Sequence, residues 1–161
     1  MMKVRKGFTL VELLIVIVII GILAAAMMLS SGGATDSAEA SNIISNLRGM
    51  KAAAMMLYMD SMDDFAALHT MMHTTNQLAL LAQYMDNPGL FVSGSHYMFR
   101  AGTGAVTSHW FVGFDLGAAQ TTSGVRRRLA SRARSIGLLA NRTSLTDIYI
   151  QAGTEVWQAA R

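Results

Sequence analysis

The sequence predicts an α+β protein in which a long N-terminal helix, membrane-spanning in its first half, packs on a small antiparallel β-sheet head. Three observations predict it. Residues 13–29 are an unbroken apolar run, and residues 8–29 contain one charge, Glu12. Ile43, Leu47, Met50, Ala54, Leu57 and Ser61 then return at spacings of three and four, the period of a helix with one buried face. Finally, residues 95–101 and 107–115 are rich in aromatic and β-branched side chains and flank Gly102-Thr103-Gly104, the pattern of a hairpin.

The first stretch organises the rest. As a helix, residues 8–29 rise about 1.5 Å each, about 33 Å in all, against a hydrocarbon core of about 30 Å. A carboxylate in that layer costs about 2.5 kcal/mol or more unless it finds a partner, so Glu12 needs a reason. A secretory signal peptide has a shorter apolar region and a small-residue cleavage site beyond it. Here Ala24-Ala25-Ala26 lies inside the apolar block. A simple anchor explains Lys3, Arg5 and Lys6 by the positive-inside rule but leaves Gly7 and Glu12 unexplained. A carboxylate snorkelling from the helix end is the plain alternative for Glu12.

Gly7-Phe8-Thr9-Leu10-Val11-Glu12 after a short basic leader resembles the class III signal peptide of type IV pilins and type II secretion pseudopilins. The resemblance implies a pilin-like fold, cleavage between Gly7 and Phe8 by a prepilin peptidase, and N-methylation of Phe8. It also implies that Glu12 pairs with the new N-terminal amine of a neighbouring subunit, with Thr9 and Gly21 as further assembly positions. Truncating one member of a buried ion pair is costly, whereas the completed pair fixes register more than it adds stability. Pilins commonly carry a Pro where Leu29 stands and a C-terminal disulfide; this chain has neither.

Composition agrees with one domain and one membrane helix: 161 residues, 52% hydrophobic and 14% charged. The formal charge of +3 belongs to the leader, because a cut after Gly7 removes three of thirteen basic residues and leaves ten against ten acidic ones. Net charge therefore gives no ground for a nucleic-acid partner. Without cysteine the chain has neither disulfides nor a thiolate zinc site. The predicted divisions are a cleaved leader (1–7), a transmembrane and filament-core helix (8–29), a bent continuation of that helix (30–64) and a globular α+β head (65–161).

Taken in order, Ser30-Ser31-Gly32-Gly33 weakens helical propensity, each Gly by about 1 kcal/mol relative to Ala. Asp36-Ser37-Ala38-Glu39 has the form of a capping box opening a second helix, which continues the first and ends near residues 60–64. Residues 75–85 suggest a short helix stopped by Asn87-Pro88-Gly89. In the second hairpin strand Trp110, Val112 and Phe114 share the face that covers the long helix, with His109 and Asp115 pointing away. A helix from Ser123 to Gly137 carries Val125, Leu129, Ala133 and Ile136 on its apolar line. Residues 145–151 read as a final strand, with Val156-Trp157 adding another short strand or a cap.

No spacing brings an acid, a base and a nucleophile together, so the expectation is a structural protein, not an enzyme, without cofactor. His69 and His73 stand at i and i+4 but lack a third ligand, and the methionines between Met50 and Met72 read as packing, so no metal is assigned. Arg126, Arg127, Arg128, Arg132 and Arg134 are the strongest charge cluster of the mature chain. They form either a solvated helix face or a contact, with a neighbour's Asp60, Asp63 and Asp64 or with DNA or anionic surfaces.

The implied function is a prepilin that resides in lipid at the inner membrane and then assembles with copies of itself, through an inner-membrane pilus or secretion machinery, into a helical surface filament. The alternatives are a pseudopilin in a periplasmic pseudopilus and a membrane-anchored binding protein using the Arg-rich helix.

Overall fold

A computed structural model describes residues 7–61, 65–74, 77–91 and 94–160; Lys3, Arg5, Lys6, Asp63 and Asp64 lie outside them. Helix α1 is Leu10–Asp60, and it passes through Gly32, Gly33 and Asp36 without interruption. The chain divides into two units, Met1–Thr35 and Asp36–Arg161. In the first, the apolar side chains of α1 are exposed, from 49% at Val16 to 82% at Leu10, and Phe8 just before it is 85% exposed.

The second unit is the head. Its elements after α1 are α2 (Phe65–Thr74), 3-10 helices at Leu78–Tyr84 and Pro88–Phe91, strand β1 (Tyr97–Ala101), a 3-10 turn at Gly104–Val106, strand β2 (Trp110–Asp115), helix α3 (Ser123–Ile136) and strand β3 (Glu155–Ala159). The sheet is antiparallel with order β1-β2-β3 and pairs Phe99 with Val112 and Gly113 with Trp157.

The apolar repeat of α1 does what its period predicts. Ile43, Leu47, Met50, Ala54 and Leu57 are buried with Phe99, Trp110, Val112, Phe114 and Val156 in one core. Burial of each large side chain is worth about 1.5–3 kcal/mol, so this face is the main attachment of helix to sheet. Tyr58 of α1 meets Trp110 edge-on at 5.6 Å, and Asn46 donates from Nδ2 to the Tyr97 hydroxyl at 2.7 Å. Asn46 is thus half-buried against the sheet.

The opposite sheet face is also covered. Val106, Phe111, Leu139 and Trp157 form a second cluster, and the Arg142 guanidinium lies over the Trp157 ring at 5.2 Å. Burial, with Arg100 nearby as the second cause, lowers the Arg142 pKa from its usual value.

Three expectations change. Residues 75–85 give a 3-10 helix, Leu78–Tyr84, which still buries Leu78 and Leu81. Residues 145–151 are not a strand; they make an isolated bridge, Leu139 with Ile148, and the sheet edge is taken by β3. Asn141 Oδ1 accepts from the Thr143 N–H at 2.9 Å and from its hydroxyl at 2.7 Å, and Ser144 Oγ accepts from the Thr146 N–H at 3.1 Å. Such side-chain turns compete with a ladder for the backbone. Lastly, Asp36 opens no helix. Its carboxylate accepts from the Thr122 hydroxyl at the N-terminus of α3, where Thr122 is the N-cap and accepts from the Val125 N–H at 3.2 Å.

Candidate processing and assembly site

Gly7, Phe8 and Thr9 are non-helical and exposed, directly ahead of α1. The Gly7–Phe8 peptide bond is therefore exposed backbone outside the helix, open to a peptidase, and a Cβ on Gly7 would meet nothing within 4 Å.

Thr9 and Glu12 cap the helix reciprocally. The Glu12 N–H donates to Thr9 Oγ1 at 3.2 Å, while Glu12 Oε2 accepts from the Thr9 N–H at 2.8 Å and from the Thr9 hydroxyl at 2.7 Å. This is a capping box of the Thr-x-x-Glu form, which satisfies orphan N–H groups at a helix start. It also places a negative charge at the positive end of the helix dipole. Glu12 thus has a local partner that sequence reading missed, although Thr9-x-x-Glu12 was legible as a cap. The Glu12 residue is exposed, so its carboxylate remains accessible beside the cap.

Past the cap, α1 contains a stretch long and apolar enough to cross a membrane, with none of it buried within the chain itself. Gly21 lies within it, and a Cβ there would meet nothing within 4 Å. That surface needs lipid or other helices around it.

The arginine cluster divides. Arg126 turns inward: its Nε donates to Thr121 Oγ1 at 3.3 Å and its Nη2 to the Leu116 carbonyl at 3.1 Å, tying down the turn before α3. Arg132 donates from Nη1 to Ser41 Oγ of α1 at 3.1 Å. Arg127, Arg132 and Arg134 are exposed, and Arg128 is half-buried. His69 Nδ1 accepts from the Trp110 indole N–H at 3.0 Å, so that nitrogen serves packing. The head gathers no group of three or more metal-ligating side chains among the described residues.

A capped, lipid-ready helix behind an exposed Gly-Phe bond, joined to a helix-on-sheet head, defines a pilin-like α+β architecture. Residues 2–28 match the family described as the prokaryotic N-terminal methylation motif, the class III signal peptide of type IV pilins and pseudopilins. The N-terminus is that of a pilin- or pseudopilin-type precursor, of the kind processed by prepilin peptidase and anchored in the inner membrane before assembly. No curated protein and no solved structure matches the chain.

Proposed function

We propose that this chain is the structural subunit of a type IV pilus-like filament. Prepilin peptidase cuts after Gly7, Phe8 becomes the methylated N-terminus, and the subunit waits in the inner membrane on residues 8–29. The observation that carries this reading is the coincidence of the methylation motif with an accessible Gly7–Phe8 bond and a capped apolar helix.

The capping box gives Glu12 two successive environments. In lipid, Thr9 supplies the hydrogen bonds that a bare carboxylate would lack, which lowers the cost of burying it. In the filament, the exposed Glu12 carboxylate accepts from the Phe8 amine of a neighbour, and the pair sets register. Gly21 lets neighbouring helices approach closely, as small residues do in apolar helix packing.

The test is intact mass and N-terminal sequencing of the protein from sheared surface fractions and from membranes. A chain that begins at methylated Phe8 and is abundant in the sheared fraction is the expected result. The same mature chain confined to the cell envelope would assign it to a secretion pseudopilus. Retention of Met1 would overturn processing and assembly together.

A further inference from the structure

The two flanks of α1 within the head differ in charge. On one flank α3 is fastened to α1 through Asp36 and Ser41, and Lys51 lines a shallow depression with Ile136 and Gly137. Arg48, Arg127, Arg132 and Arg134 are exposed there or on α3 itself. On the other flank an open groove of about 310 Å³ runs between α1 and residues 84–87, with Gly49, Ala52 and Met56 as its floor and Tyr84, Asp86 and Asn87 as its wall. Helical positions advance by about 100° per residue, which puts Gly49 and Met56 about 160° and 140° around α1 from Lys51.

The groove has an acidic rim. Asp60 follows Met56 by one turn and accepts from the Tyr84 hydroxyl at 2.7 Å, and Asp86 is exposed beside it. Met56 of the groove floor is 53% exposed, a soft apolar surface that adapts to what is laid on it. The outer row of α3 is the complement. Arg127, Ser131 and Arg134 recur at i, i+4 and i+7, on the side opposite the buried Val125, Leu129 and Ala133.

We propose that this groove receives the outer row of α3 from a second copy of the chain. The arginine stems would cover Ala52 and Met56 while their guanidinium heads reach Asp60 and Asp86. Groove and α3 are different surfaces on opposite flanks, so a copy that fills its neighbour's groove still offers its own. Such a heterologous contact generates a helical array when its rotation does not close a ring, which is the geometry the filament reading requires. The inference rests on the filament reading and adds which head surfaces meet.

The chain has no cysteine, so engineered pairs report this contact without background. Asn87→Cys and Ser131→Cys leave the charged residues in place and lie at exposed positions. In full-length protein assembled in its host, the double variant should give an oxidised ladder beyond dimer, and each single variant none. Met56→Cys with Ser131→Cys serves as a second pair if the first alters folding. Asp86→Lys should reduce the ladder severalfold, and adding Arg134→Glu should restore it. Filaments of Phe8-starting protein that give no ladder with either pair overturn the groove contact and leave the filament reading standing, as does a ladder indifferent to Asp86→Lys. Protein that retains Met1 and forms no filament overturns both.

Discussion

The carboxylate of Asp36 accepts a hydrogen bond from the Thr122 hydroxyl at 2.6 Å and lies so close to α3 that a Cβ on Gly124 would stand 1.8 Å from its Oδ2. Two residues 86 positions apart in the chain thus fasten α1 to the first turn of α3, and Gly124 is what lets them meet. An acceptor at a helix N-terminus is favourable for both the orphan N–H groups and the dipole.

Gly124→Ala should therefore destabilise the head by about 1–3 kcal/mol, because the added methyl displaces the Asp36 carboxylate from Thr122. The sign should change once Asp36 is gone. In an Asp36→Ala background the methyl meets no carboxylate, and the helix propensity of Ala over Gly, about 1 kcal/mol, should become a net gain. Thermal melts of the four proteins in detergent measure this coupling.

Gly113 makes an equally specific approach on the outer face of the sheet. A Cβ there would lie 2.4 Å from Trp157 Cε3, so the indole rests directly on the Gly113 backbone, with its N–H donating to Glu155 Oε2 at 3.0 Å. Gly113→Ala should cost about 1–3 kcal/mol and lift Trp157 away from β2. Expected with the lower melting temperature is a red-shifted tryptophan emission; an unchanged spectrum would mean the ring has room to spare.

That same contact explains what sequence could and could not reveal. The period-3.6 face of α1, the hairpin of β1 and β2 and the apolar line of α3 were legible because each is a local pattern: Ile43 to Leu57, Trp110 to Phe114 and Val125 to Ala133 bury the residues their spacing predicts. The third strand was legible only as one of two readings of Val156-Trp157, a short strand or a cap, and the structure makes it strand β3. Residues 145–151 alternate, whereas Glu155–Ala159 buries Val156, Trp157 and Gln158 in succession, and the choice between them depends on Trp157 finding Gly113 across the sheet, a pairing no local period encodes. Asp36 illustrates the same limit, since its capping chemistry was legible but the helix it serves lies in the distant Thr122 segment. At the N-terminus, Gly7 and Phe8 were legible from the motif, and the Thr-x-x-Glu spacing of Thr9 and Glu12 carries the local cap that the structure forms.

Alkaline pH should weaken the head through Tyr97. Burial raises its pKa above the ordinary 10.0, with the Asn46 hydrogen bond opposing as the smaller cause. A raised folded-state pKa means that the unfolded chain releases its proton first, so stability is intact below about pH 10 and falls as pH rises from there through the folded value. Tyr149 shifts in the same direction, again chiefly through burial. Tyr97→Phe should lose about 1 kcal/mol at neutral pH with the Asn46 bond, yet decline less steeply above pH 10. Denaturant melts between pH 8 and 11 compare the slopes.

At the N-terminus, hydrogen-bond geometry and charge can be separated by substitution. Thr9→Ala removes the hydroxyl that accepts from the Glu12 N–H and donates to Oε2. Loss of such a cap costs about 0.5–2 kcal/mol, which corresponds to roughly 2–30-fold faster amide exchange in the first turn of α1, measurable in bicelles. Glu12→Gln keeps an oxygen that can accept from Thr9 and removes the charge, so exchange in that turn should stay near the native rate. Filament yield should nonetheless collapse in Glu12→Gln, because the neighbour's amine then meets no carboxylate. Native yield from Glu12→Gln would show that the cap alone accounts for Glu12, and that register is set elsewhere along the helix.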